Sequence, residues 1–262
     1  MAIVLHDQIG NEISLTAPAV KIISLVPSQT ELLHALGMDA EVIGITKFCV
    51  HPEKWFRTKK RIGGTKQIHV EAILSLQPDI VLANKEENIK EQIEALRLHV
   101  PVYTSCISNL EEAVQMIQDV ATLTGKSKNG TQLAEEIANR FNTLFFHKTY
   151  RTLYLIWRDP YMAAGDDTFI HAMMQKAGME NVLSGIQRYP SLSAQQIREL
   201  NPQLVLLSSE PYPFKEKHIE ELRNILPNAK ILLVNGEMFS WYGSRLLQAA
   251  EYITKLIRSI SS

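Results

Sequence analysis

Two stretches of this chain follow one pattern at a constant offset. Residues 71–82, EAILSLQPDIVL, align with residues 195–206, QQIRELNPQLVL, without a gap. Ile73 falls on Ile197, Leu76 on Leu200 and Pro78 on Pro202. Each copy reads as a helix, a proline stop and a short apolar strand. Proline cannot continue a helix, and it pushes the residue before it out of the helical region. A second echo pairs Leu36-Gly37-Met38 with Ala177-Gly178-Met179, each closing the helix after the first strand of its half. Chance also produces helix–proline–strand patterns in α/β chains, but two echoes in the same order favour two lobes built on one plan.

Between the halves lies Ser127–Lys148, without proline and with one glycine, Gly130, near its start. Leu133, Ile137, Phe141, Leu144 and Phe145 step by three and four, which is one face of a helix. Asn129 or Thr131 would cap it. Glu135 and Glu136 stand in the early turns and His147 and Lys148 in the last, as the helix dipole prefers. A helix of about 20 residues is a rod of roughly 30 Å. The reading is three segments: a lobe over 1–125, a bridging helix over 126–150 and a second lobe over 151–262.

Apolar, β-branched runs at Lys21–Val26, Glu41–Ile45, Ile80–Ala83 and Val102–Thr104 predict strands in the first half. Thr152–Trp157, Leu204–Leu207 and Ile231–Val234 predict them in the second. Helical patterns separate them, so the expectation is an α/β fold: two Rossmann-like lobes with parallel sheets, joined by one long helix. Thr46–Gly64 and Arg158–Asp167 read as irregular, and all three tryptophans are expected in loops or at strand ends.

Composition narrows the function. The net charge of -1 supplies no basic excess for nucleic acid. Cys49 and Cys106 have neither zinc nor redox spacing. No G-x-S-x-G, G-x-x-x-x-G-K-[ST], H-E-x-x-H or G-x-G-x-x-G motif occurs. Asp166-Asp167 before Thr168 reads as a helix N-cap region rather than a metal site. The N-terminal MAIVLHDQIG lacks the parts of a signal peptide. The expectation is the periplasm or cell envelope if a targeting segment has been removed, and the cytoplasm if the chain is complete as written.

Parallel sheets place ligand loops at the carboxyl ends of their strands. Those loops are rich in amphipathic aromatics: Phe48, Trp157, Tyr161, Tyr212, Phe214, Phe239, Trp241 and Tyr242. Such side chains suit a large, flat, partly apolar ligand in an interlobe cleft, although each one singly also fits local loop packing. Arg245 either enters the cleft or pairs across helices. His51, between Val50 and Pro52, reads as a solvated loop histidine before a metal ligand, and Cys49 is similar.

The runs KIISLVPSQTELLHALG, FCVHP and RIGGTKQIHVEAILSLQPDIVLA resemble the cobalamin and iron–siderophore substrate-binding proteins of ABC importers. The lead-in VLHDQIGNEISLTAPAVKIISL resembles the usual start of their mature domain, so the likeness covers essentially the whole chain. It implies the class III periplasmic binding fold, also the architecture of the chelatases, and a non-enzymatic role with no cofactor. Among members the chain is most similar to cobalamin binders. Pro27-Ser28, Phe48-Cys49 with Pro52, and Trp241-Tyr242 match positions that line that group's cleft. The expected ligand set is Pro27, Ser28, Phe48, Cys49, His51, Trp157, Tyr161, Tyr212, Trp241, Tyr242 and Arg245, around a corrinoid. The expected partner is an ABC permease with its ATPase, and the expected state a monomer. In the family one glutamate per lobe docks on permease arginines. Glu71 matches the first, whereas the second position holds Gln195, with Glu199 one turn on as a substitute. The alternatives are a ferric siderophore or haem binder, and a chelatase-like enzyme using His51, Glu210 and Glu237.

Overall fold

The computed structural model describes every residue except Met1, Phe145, His147 and Ser262. It contains two compact units. Unit 1 comprises Met1–Ile107, Glu111–Ala138 and Tyr242–Arg245, and unit 2 comprises Ser108–Leu110, Asn139–Trp241 and Leu246–Ser262.

In chain order the first half forms β1 (Ile3–His6), β2 (Glu12–Leu15), β3 (Ile22–Ser24), α1 (Pro27–Ala35), β4 (Val42–Ile45), α2 (Glu53–Thr58), β5 (Lys60–Arg61), α3 (Val70–Ser75), β6 (Ile80–Asn84), α4 (Lys90–Arg97), β7 (Val102–Ser105) and α5 (Leu110–Leu123). The sheet of unit 1 runs β5-β4-β3-β6-β7, all parallel. Every residue of β3, β6 and β7 is buried, as in parallel strands covered on both faces. That is why β6 reads as an apolar run rather than an alternating pattern, while the buried Thr104 and Ser105 of β7 take hydrogen bonds from Arg97 and Gln29. The hairpin β1–β2 guards the outer edge of β7. Thr104 N–H donates to Asp7 Oδ2 (3.2 Å) and Cys106 N–H to Gln8 Oε1 (2.9 Å), so the edge amides are not left open.

After α6 (Ser127–Asn142) come β8 (Tyr150–Trp157), β9 (Tyr161–Ala163), α7 (Phe169–Lys176), β10 (Met179–Asn181), β11 (Ser191–Leu192), α8 (Ala194–Leu200), β12 (Leu204–Ser208), α9 (Glu216–Arg223), β13 (Lys230–Val234), α10 (Glu237–Ser240) and α11 (Leu246–Ser261). The core strands of unit 2 repeat the plan: β10, β12 and β13 join β8 in parallel, in the order β10-β8-β12-β13. Antiparallel β9 takes the far end of β8 and carries β11. This is the departure from an all-parallel reading, and it falls in the Arg158–Asp167 segment expected to be a loop.

The repeat holds to the residue. β6 begins at 80 and ends at 84, and β12 begins at 204 and ends at 208, the same offset that separates Pro78 from Pro202. Helices α3 and α8 start at 70 and 194. The residues before the two prolines, Gln77 (φ 49°) and Asn201 (φ 44°), are both left-handed. Gly37 (φ 78°) and Gly178 (φ 68°) form the second echo, where a glycine meets the left-handed stop at no steric cost.

Helix α6 crosses the boundary between the units after Ala138. It is shorter than expected: 16 residues, or about 24 Å. It starts at Ser127, ahead of both proposed caps. It stops because Thr143 Oγ1 donates to the Arg140 carbonyl (2.8 Å) and Leu144 N–H turns back to Phe141. Of the later positions read into its face and last turn, Phe145 and His147 lie outside the described residues. Two more expectations change. Thr46–Gly64 contains α2 and β5, and Trp55 is a fully buried core residue of α2 rather than a loop aromatic. The first turn of α1 begins at Pro27 itself, since proline suits the opening position of a helix.

Gly130 sits where α6 meets α5. A Cβ there would overlap the Ala121 methyl. Glycine to alanine normally adds about 1 kcal/mol of helix propensity. Here overpacking, roughly 1–3 kcal/mol, sets the sign. Gly130→Ala is expected to lower the urea midpoint of unit 1, and a raised midpoint would show that the two helices do not approach this closely.

Candidate functional site

In unit 1 the carboxyl ends of β3 and β4 carry Pro27-Ser28 and Phe48–His51. Ser28 is buried in the first turn of α1, and a Cβ on Gly243 would lie 3.3 Å from its carbonyl oxygen. Phe48 is 51% exposed, with Lys47 Nζ 5.2 Å from its ring centre. Cys49 turns the other way. It is fully buried, with Sγ 3.1 Å from Thr30 Oγ1 and 3.2 Å from Thr46 Oγ1, and burial pushes its thiol up from its ordinary value. It braces the loop from inside. His51 is half-buried beside it.

Tyr242–Arg245 also belongs to unit 1, although the chain on either side belongs to unit 2. Two buried side chains strap it down. Tyr242 O–H donates to Glu87 Oε1 (3.0 Å), and burial, reinforced by that carboxylate, holds its phenol well above the usual range. Arg245 Nε donates to Glu31 Oε2 (2.9 Å) while Nη2 lies 2.8 Å from Oε1. This two-pronged pair engages the guanidinium with α1. Of the two readings of Arg245, the structure shows the pairing, here with a carboxylate on α1.

Beneath the strap, the loop carrying Glu87 is shaped by buried amides. Asn84 Oδ1 accepts from the N–H groups of Glu86 (2.8 Å) and Glu87 (3.1 Å), and Asn88 Oδ1 accepts from Asn84 N–H (2.8 Å). Ser208, at the position equivalent to Asn84, folds the matching loop of unit 2: its Oγ donates to the Glu210 carbonyl (2.5 Å). Neither residue stood out in the sequence reading. Extending the repeat two residues past Leu82 and Leu206 reaches both.

In unit 2, Trp157 ends β8 and stays 40% exposed. Its ring meets Tyr212 edge-on at 5.6 Å, and Tyr212 packs in turn on Phe214 (4.9 Å) and His218 (5.5 Å). His218 Nδ1 accepts from Lys215 N–H (2.8 Å), which puts the proton of the neutral ring on Nε2, 3.2 Å from the Tyr212 hydroxyl. Burial, then the Lys217 and Arg158 charges, lowers the pKa of His218. Tyr161 O–H donates to Glu221, which Arg158 Nε also reaches (3.1 and 3.0 Å). Burial pushes the Tyr161 phenol up, and Glu221 adds to it. Trp241 is 8% exposed, its indole N–H donating to Glu210 Oε1 (2.9 Å), which also takes Ser240 Oγ (2.8 Å).

Glu71 and Gln195 occupy the same place in their lobes: exposed, second residue of α3 and of α8. Gln195 Nε2 donates to Glu199 Oε1 (2.9 Å), so a carboxylate does stand beside it. Asp166 and Asp167 accept from the N–H groups of Gly185 (2.6 Å) and Arg188 (2.5 Å), while Thr168 caps α7. Among the described residues no group of three His, Cys, Asp or Glu side chains is placed to hold a metal ion.

The model of the periplasmic binding protein family matches residues 22–224, more than half of the chain. The vitamin B12-binding protein of Yersinia pestis (strain Pestoides F) is 24% identical over 255 residues, covering 94% of this chain and 90% of its own. Among solved structures, the periplasmic vitamin B12 binding protein of Vibrio cholerae aligns with a TM-score of 0.76 at 20% identity, covering 94% of this chain and 99% of that one. The periplasmic heme-binding protein of Roseiflexus sp. RS-1 aligns with a TM-score of 0.80 at 22% identity, covering 92% and 99%.

The lowered pKa of His218 has a consequence for stability. The unfolded chain takes up its proton near pH 6.5 and the folded chain only at lower pH. The contribution of His218 is therefore whole above about pH 6.5 and lost as the pH falls through the folded value. The melting temperature is expected to fall between pH 7 and pH 5, and His218→Asn to flatten that slope. An unchanged slope in the variant would remove His218 as its source.

Proposed function

The chain belongs to the periplasmic binding protein family, and on that premise we propose that it is the substrate-binding component of an ABC importer, holding a corrinoid and delivering it to the permease. The observation that carries this reading is similarity along nearly full length to proteins named for vitamin B12 binding. The loops at the carboxyl ends of the strands support it. Phe48 in unit 1 and Trp157 on Tyr212 in unit 2 present exposed aromatic surface, the kind that packs against a wide, largely apolar macrocycle. The buried residues of the expected set have another task under this reading. Cys49, Tyr242 and Arg245 fix the loops, and Trp241 is held by Glu210. Function is binding rather than catalysis, as in the relatives' names. The working compartment under this reading is the periplasm or cell envelope; no helix among the described residues is long and apolar enough to cross a membrane.

A second reading, haem or a ferric siderophore, is favoured by the TM-score of 0.80 to a heme-binding protein and by likeness to a ferric hydroxamate transport protein of Saccharomonospora viridis. Titration with cyanocobalamin, hemin and a ferric hydroxamate, followed by tryptophan fluorescence and calorimetry, separates the readings. The corrinoid is expected to saturate at micromolar concentration or below. Trp157→Ala is expected to weaken it by roughly 1–3 kcal/mol while the variant still folds. Saturation by hemin alone would replace the first reading with the second.

For the permease, Glu71 and the Gln195–Glu199 pair supply the exposed polar points, one on each unit. Glu71→Arg is expected to cut ligand uptake by the cognate importer while leaving ligand affinity intact. Full uptake in that variant would take Glu71 out of the docking surface.

A further inference from the structure

Residues 47–66 hold seven lysines and arginines against one acid, Glu53, in a chain whose net charge is -1. None of the roles described above uses this concentration of charge. The structure gathers five of the cations on one margin of unit 1. Lys54 and Arg57 lie one turn apart on the exposed side of α2, and Lys59, Lys60 and Arg61 follow directly into β5, the edge strand of the sheet. Lys54 Nζ and Lys59 Nζ lie 2.7 and 3.9 Å from the same carboxylate, Asp39, so the two ammonium groups share one spot on the surface. The long stems are supported from below. Lys59 Nζ lies 5.2 Å from the ring centre of buried Trp55, and the Arg61 guanidinium 4.4 Å from that of Phe56. The acids within this patch do little to quench it. The Lys54–Asp39 partners are 70% and 53% exposed and the Arg57–Glu53 partners 73% and 72%, whereas Lys59, 16% exposed, is held inside the patch against Asp39. Ion pairs so open to water are weak and exchange readily for another anion. Just upstream of α2, Val50 presents an exposed apolar side chain, 41% accessible.

We propose that the α2–β5 margin, through Lys54, Arg57, Lys60 and Arg61, with Val50 exposed just upstream in the chain, docks this protein on the anionic headgroups of a phospholipid bilayer. A row of exposed cations following an exposed apolar residue in the chain fits a surface that is negative at the headgroups and apolar a few ångströms deeper. A free anion satisfies only the charge. The cations act additively, each strengthening adsorption several-fold, and salt screens them because the Debye length is about 8–10 Å at physiological ionic strength. The inference does not depend on which ligand the protein carries.

The test is co-sedimentation of the full chain with phosphatidylcholine vesicles and with vesicles holding about a third phosphatidylglycerol, at low and at 0.5 M salt. Retention is expected on the anionic vesicles only, and to fall at high salt. The triple variant Lys54→Glu, Arg57→Glu, Lys60→Glu is expected to lose at least tenfold in partitioning. Val50→Ser is expected to reduce what binding survives at intermediate salt. Equal retention on both vesicle types, or an unaffected triple variant, overturns the proposal. So does retention on immobilised polyglutamate with none on vesicles, which would make the partner an acidic protein. The triple variant is also titrated with cyanocobalamin. Loss of vesicle binding with that titration unchanged separates this surface from the ligand site. A wild-type protein that adsorbs to vesicles and ignores cyanocobalamin sinks the ligand reading alone.

Discussion

Burial of the parallel strands on both faces is the constraint on which the rest depends. In β6, β7 and β12 every residue is withdrawn from water. Their faces can hold only apolar side chains or polar ones that find a partner at once. Polar chemistry is thereby pushed to the strand ends. Asn84 and Ser208 stand there, at matching positions, and each uses its side chain to bend the backbone that follows. The exposed aromatics of the proposed ligand surface are mounted on or beside these ends. Their positions follow from the sheet, not from any property of the loops in isolation.

The same constraint explains why several conspicuous residues are tied into the fold. A loop at the end of a buried strand needs internal bracing, and the available groups are those that sequence inspection flags as reactive. Cys49 is held against Thr30 and Thr46. Tyr242 reaches Glu87, and Arg245 locks onto Glu31. Two of these three interactions join residues more than 150 positions apart in the chain, and their partners, Glu31 and Glu87, look in the sequence like ordinary surface acids. Removing one member of such a buried pair is costly, because the other is left charged and unsolvated. Tyr242 and Arg245 fasten the strap to unit 1, and Cys49 braces the loop after β4.

Charge is distributed on a different logic. The near-zero total hides a basic margin at α2 and β5, which total composition cannot report. The cations there are separated in the sequence by a buried tryptophan and a half-buried phenylalanine. They share a surface because α2 is short and β5 is an edge.

What the sequence determined by itself was the periodic part. The offset between Pro78 and Pro202 gave two lobes of one plan. The apolar runs gave the parallel strands, and the period of three and four gave the helix between the halves. These signals are local, set by backbone sterics and by which face of an element meets the core. Tertiary structure decided the remainder. Helix α6 ends at Asn142 because Thr143 takes a backbone carbonyl, although apolar spacing continues past it. Antiparallel β9 forms because the far end of β8 offers an open edge. Trp55 is core and Trp157 is surface, although both were read as loop or strand-end aromatics. The partner of a buried charge and the neighbour of an edge strand are set by contacts between distant segments. No local pattern of residues encodes them.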